Sequence, residues 1–324
     1  MSRFVHDRTA RMRMTFSGEQ AKAALGGLVT NDVVTLTAGA GQRAAALTPK
    51  GRVIALCRIF DRGTDLLVDC DAAAGEGFAA MIRKFVNPRL AKYALVTEST
   101  DCLGVHGDDA ARALSRALGG DDAMRDAIEA LAPLAGRWIG AGDEAAWVVR
   151  SDDLSVPGFD LFATRARVAT SRTALLADGA RSAGADEVRT WRVERGLPEF
   201  GAEMDAETIP QEAVLDALDA ISFNKGCYTG QEVVARIHFR GHVNRHLRWL
   251  VSGAPLREGA RVLDASGTDV GEVRTAVVSA SRGPLAIAML RREVEPGATV
   301  RVEDVARTAQ ATNARVERMP ASQG

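Results

Sequence analysis

The chain changes texture at Arg245, and that change sets what it can fold into. Before it, runs with strand periodicity alternate with runs of helical periodicity. After it come LRWLVSG, ARVLDASGTDVGEVRTAVVSA, LAIAMLRR and ATVRVED, short strand-like runs broken by Gly, Pro and Asp-Ala-Ser-Gly-Thr. The pattern predicts an α+β region over 1–245 and a small C-terminal β-barrel or sandwich over 246–324. The polar run Gln310 to Gly324 is expected to end in a flexible tail.

Composition narrows the classes. The 324 residues are 46% hydrophobic and 26% charged, as in a globular protein with a sizeable core. A formal charge of −1 gives no overall footprint for nucleic acid or an anionic membrane. Arg236, Arg240, Arg245 and Arg248 could form a local basic patch, but a solvated surface is the simpler reading. No run is apolar enough to span a membrane, and MSRFVHDRTARMRMTFSG lacks the apolar core of a secretory signal. The four cysteines, Cys57, Cys70, Cys102 and Cys227, have neither metal-site spacing nor disulfide density. A cytoplasmic monomer without a structural metal is expected.

In chain order, Met12 to Phe16 reads as a strand, and Ser17 to Gln20 as the cap of a helix bearing Ala21, Ala24, Leu25 and Leu28. Asn31-Asp32 is a polar turn or part of a ligand rim, and spacing alone favours the turn. QRAAALT, RVIALCRIF and DLLVDCD form a meander with turns at Pro49-Lys50-Gly51 and Asp61-Arg62-Gly63. Cys57 and Cys70 fall inside its strands as core residues. Helices are expected over Ala72 to Val86, Asp109 to Leu118, Ala123 to Leu131, Arg165 to Ala177 and Asp186 to Arg195. No G-x-G-x-x-G or Walker pattern is present, which argues against nucleotide enzymes of those types.

The segment that ends at Arg245, ISFNKGCYTGQEVVARIHFRGHVNR, carries the strongest chemical signal. Thr229-Gly230-Gln231-Glu232 has capping-box spacing, so Cys227 is expected just before a helix N-terminus. The helix dipole and Lys225 would then hold the thiol partly ionised. His238, His242 and His246 are spaced by four, but Gly241 breaks their face. They are expected to be scattered surface or interface histidines rather than metal ligands. Glu194 lies in the last turn of its helix, where a carboxylate opposes the dipole. Pairing with Arg192 or Arg195 is the plain explanation, and a ligand is the alternative.

KGCYTGQEVVAR, together with the upstream WRVERGLPEFGAEMDAETIPQEAVLDALDAISF, resembles the signature region of the YgfZ family, folate-binding relatives of the glycine-cleavage T-protein (aminomethyltransferase). The resemblance implies a T-protein-like ring of three domains, two interleaved α+β subdomains and a barrel, with tetrahydrofolate in the central channel. It further implies that the acid of Arg-x-Glu-x-Gly, here Glu194, holds the pterin. Arg236 would serve the folate tail or the channel, Gln231 with Glu232 would brace the loop near the ligand, and Asn31 would join the rim. The T-protein's essential aspartate is expected at Ala55 or Leu56, and both are apolar here. The resemblance therefore implies folate-dependent support of iron–sulfur cluster assembly or repair through Cys227, with iron–sulfur client proteins as partners. A folate-dependent aminomethyl or methyl transferase is the alternative.

Overall fold

The computed structural model describes residues 2–304 and 311–320. It begins with β1 (Phe4–Asp7), β2 (Met12–Ser17) and a short helix, α1 (Ala21–Gly26). The meander follows as β3 (Gly41–Leu47), β4 (Val53–Asp61) and β5 (Leu66–Cys70), then α2 (Ala72–Phe85) and β6 (Lys92–Leu95). Strands β3-β4-β5-β2-β6, in that order, form one five-stranded sheet. Next come β7 (Thr100–His106), α3 (Ala110–Ala117), α4 (Asp122–Glu129), β8 (Gly136–Ile139), β9 (Ala146–Ser151), β10 (Gly158–Thr164), α5 (Arg165–Ala177) and β11 (Arg181–Ser182). These strands take in β1 to give a six-stranded sheet, β11-β1-β7-β10-β9-β8.

β1 was not expected from the sequence. Phe4–Asp7 is four residues long, too short to show a period, and it becomes a strand because β7 and β11 flank it. Its membership of the second sheet, while β2 belongs to the first, interleaves the two α+β units.

Two helices precede the barrel, α6 (Ala185–Arg195) and α7 (Gln231–Arg240). The barrel closes through β12 (Arg245–Ser252), β13 (Arg261–Leu263), β14 (Asp269–Ser279), β15 (Gly283–Arg291), β16 (Thr299–Glu303) and β17 (Ala311–Glu317). Part of the polar run is therefore barrel strand. Ala311–Glu317 bridges β12 and β16, and Ala314 and Val316 point into the barrel core. The last four residues, 321–324, lie outside the described residues.

Each layer forms by burying one face. In α2, Ala74, Phe78, Met81 and Ile82 recur at helical spacing and pack on Ala55, Cys57 and Ile59 of β4. Burial of Phe78 contributes about 1.5–3 kcal/mol. The opposite face of β4, with Val53 and Leu56, packs on Leu215, Ile221 and the barrel residues Trp249 and Ile287. Trp249 also donates its indole N–H to the Val193 carbonyl of α6 at 3.0 Å.

The two sheets are joined by a buried ion network. Arg58 of β4 holds Asp69 of β5 and reaches Asp160 of β10 and Asp153. Arg8 bonds Asp160 and Asp153, Arg43 bonds Asp152 and Asp153, and Arg11 bonds Asp69 and Asp71. The guanidinium groups hold the carboxyls of Asp69, Asp153 and Asp160 below the usual carboxylate range, although burial opposes that shift. Removing one partner would strand a buried charge, at a cost of about 3–5 kcal/mol.

Candidate functional site

The Cys227 loop is sewn onto the turn after α1. Lys225 Nζ donates to the carbonyls of Gly26, Val29 and Asn31 at 2.5, 2.7 and 2.9 Å. Thr229 N–H donates to Gly27, and Ser222 N–H to Thr30. Asn31 Nδ2 donates to Asp219 and Arg43 at 2.7 and 2.8 Å. Cys227 is exposed, whereas Cys57, Cys70 and Cys102 are buried.

This corrects two expectations. α7 begins at Gln231 with Gly230 as its N-cap, and no side chain caps it, so the Thr229–Glu232 box does not form. Gly230 takes φ 83°, and a Cβ there would meet the Thr48 carbonyl at 2.7 Å, so close backbone approach replaces the side-chain cap. Lys225 gives no hydrogen bond to the thiol among the described residues. All three of its donors are spent on carbonyls, and its ammonium lies 5.1 Å from the Tyr228 ring centroid. Burial pushes that ammonium down to about 8, with Asp32 pulling the other way.

The remaining expected ligand residues divide. Gln231 opens α7 and donates its backbone N–H to Tyr228. Arg236 is exposed and pairs with Glu232 one turn back at 2.7 Å. Neither arginine near Glu194 pairs with it. Arg192 holds Glu203 at 2.9 Å and Glu199 at 3.1 Å, and Arg195 bonds the Asp152 carbonyl. Glu194 instead accepts from the hydroxyls of Ser155, Ser279 and Ser281, which joins α6 to the barrel.

A cavity of about 740 Å³ opens beside α6, on the face that carries Val188 and Arg192. Its apolar wall includes Leu56, Leu197 and Phe200, and its polar wall includes Arg11, Arg58 and Glu199. Asn31, Glu194, Lys225, Cys227, Gln231 and Arg236 are not among its lining residues. Leu56 is the apolar residue where the T-protein's aspartate is expected, and it faces this cavity, whereas Ala55 faces the helices. Sequence reading missed Glu199. Its only hint was the acid after Pro198, just past a helix stop. Burial raises the Glu199 carboxyl, with Arg192 opposing and Asp71 and Glu203 assisting. One of its oxygens pairs with Arg192 Nε, and the other has no protein donor among the described residues.

His6, at the cavity edge, contacts His106 between ring nitrogens at 3.3 Å, and His106 Nδ1 meets the Val156 carbonyl at 3.0 Å. Burial, then the charge of Arg8, pushes His6 down to about 3. With Asp160 these two make the one group of three ligating side chains within 4.8 Å among the described residues. Asp160 is already held by Arg8 and Arg58, whose charges oppose a cation there. His238, His242 and His246 all line a second cavity of about 420 Å³ below α7.

Comparison with known proteins places this architecture. The family described as GCVT N-terminal domain matches residues 4–225. The tRNA-modifying protein YgfZ of Serratia proteamaculans is 33% identical over 247 residues, covering 73% of this chain and 67% of that protein. The Klebsiella pneumoniae protein of the same name is 30% identical over 331 residues, covering 95% of this chain and 90% of its own. The glycine cleavage system aminomethyltransferase T of Bartonella henselae superposes with a TM-score of 0.87 at 19% identity, over 99% of this chain and 87% of that one. That likeness establishes the T-protein fold. Among the described residues no helix is long and apolar enough to cross a membrane. With matches of this extent along the whole chain, the protein belongs to the YgfZ family, a T-protein-like branch of the GCVT proteins.

Proposed function

We propose that the protein binds a reduced folate, tetrahydrofolate or a derivative, in the cavity beside α6. We further propose that it supports iron–sulfur cluster assembly or repair in the service of tRNA modification, through Cys227. The carrying observation is the cavity itself. It lies within the span matched by the GCVT domain, and its 740 Å³ falls among ligand-sized pockets of about 300–1,000 Å³.

The lining fits a pterin. Leu56, Leu197 and Phe200 offer apolar contact to a flat ring. The free oxygen of Glu199 can accept an N–H from an aminopyrimidine edge. The bound folate would supply one-carbon or redox chemistry, and the protein's own residues hold and orient it. The tRNA element comes from the name of the relatives.

Cys227 is held at the surface by the stitched loop, so a partner can reach it. Iron–sulfur clusters are bound by several thiolates, so one cysteine suits transient contact with a client protein rather than a resident cluster. The alternative, a folate-dependent aminomethyl or methyl transferase, has Leu56 against it. That side chain presents no carboxylate to steer a folate nitrogen.

The test is calorimetric titration with tetrahydrofolate of the wild type, Glu199→Gln and Glu194→Ala. Saturable binding weakened roughly 10- to 100-fold by Glu199→Gln is expected from loss of a charged acceptor. Weakening by Glu194→Ala alone would move the pterin to the serine-held acid. No saturable heat with any reduced folate would refute the reading. In cells, Cys227→Ser should lower iron–sulfur enzyme activity while folate binding persists.

A further inference from the structure

The cavity below α7 has charge that the protein does not neutralise. Arg248 carries a buried Nε with no partner among the described residues, and its guanidinium donates to the carbonyl of its neighbour Leu247 at 3.3 Å. Neither Arg248 nor Arg318, which shares the wall, has an ion pair among the described residues. Arg248 is half-buried and Arg318 exposed, in contrast to the buried cluster between the sheets, where Arg8, Arg43 and Arg58 are each held by at least two carboxylates. Glu295 lines the cavity without pairing with either guanidinium, although its charge favours the Arg248 cation. Asp216 is the other carboxylate on the wall, and burial raises its carboxyl above the usual range.

An aromatic ladder stands at the same rim. Phe223 stacks on His238 with centroids 3.6 Å apart, and His238 meets Phe239 edge-on at 4.7 Å. Phe239 is 67% exposed on its outer side. His238, which lines the cavity with Arg248 and Arg318, connects this exposed ring to the unpaired guanidinium groups, and such a set can take a base on the ring and its phosphate on the arginines.

We infer that the cavity below α7 receives a backbone phosphate of single-stranded RNA between Arg248 and Arg318, with a neighbouring base stacked on Phe239. The formal charge of −1 conceals this site because it averages over the whole surface. The inference deepens the tRNA element of the proposed function and does not depend on folate.

The experiment is fluorescence anisotropy of a labelled single-stranded RNA with the full chain, against Phe239→Ala, Arg248→Gln and Arg318→Gln. Phe239→Ala removes a mostly exposed ring with edge contacts to His238 and Phe223, thermal unfolding checks its fold, and it should weaken binding roughly 5- to 150-fold. Arg318→Gln and Arg248→Gln should each weaken binding and flatten its salt dependence by roughly one released ion. Unlabelled inorganic phosphate should compete only at far higher concentration than RNA. Equal binding by all variants, no RNA binding by the wild type, or phosphate binding without RNA binding would each overturn the inference. Folate calorimetry on the same proteins reads the proposed function separately, so either claim can fall alone.

Discussion

The ammonium of Lys225 donates to the carbonyl of Asn31 at 2.9 Å, across 194 residues of sequence. Two residues singled out for the site, Lys225 for the thiol and Asn31 for the ligand rim, are therefore structural partners. Together with the Gly26 and Val29 carbonyls, this contact fixes the loop that displays Cys227. Replacing Lys225 by Met leaves three carbonyls without their donor. A stability loss of roughly 1–3 kcal/mol is expected. Thermal unfolding measures it, and faster proteolysis near Cys227 would place the loosening in the loop. Unchanged unfolding would refute the stitching role.

Gly230 should tolerate no side chain. A Cβ would sit 2.7 Å from the Thr48 carbonyl on a backbone at φ 83°. Gly230→Ala should cost roughly 1–3 kcal/mol, seen as a lower denaturant midpoint. Gly226 has nothing within 4 Å of a Cβ, so Gly226→Ala is the matched control and should be near neutral.

Both residues show what the sequence could and could not say. The meander, α2, α5 and α6 were legible because apolar residues recur at one period and Gly or Pro marks their ends. Lys225 next to Cys227 suggested thiolate stabilisation because sequence proximity is all a sequence displays. The carbonyls that claim Lys225 lie in the turn after α1. Glu199 was missed for the same reason, since the cavity that gives it meaning is assembled from β4, α6 and the chain beyond it.

The thiols should separate cleanly. Cys227 is exposed and the other three are buried, and burial pushes the Cys57 and Cys102 thiols well up. Titration of the native protein with an aromatic disulfide should release one equivalent quickly, and unfolding should release all four. Fast reaction of a second thiol in the native state would contradict the burial of the β4–β5 pair.

Acid should destabilise the fold through His6 before the carboxylates titrate. His6 is held at about 3 against an ordinary 6.5, so between those values the unfolded chain binds the additional proton. Its contribution is complete above 6.5 and is lost as the pH falls toward 3, by roughly 1.4 kcal/mol per pH unit. His106, lowered chiefly by burial, acts in the same direction. Urea midpoints from pH 7 to 4 should fall less steeply in His6→Phe than in the wild type. Equal slopes would show that His6 is protonated in the fold.

The crossing of β1 into the second sheet has a consequence for synthesis. His6 and His106 are neighbours in space but 100 residues apart in the chain. At about 5–20 residues per second, the ribosome needs roughly 5–20 s to make that stretch. The first strand to emerge must remain unpaired for that interval, while the five-stranded sheet, which does not include it, already has all its strands by Leu95. A nascent chain of this protein is exposed longest at its beginning.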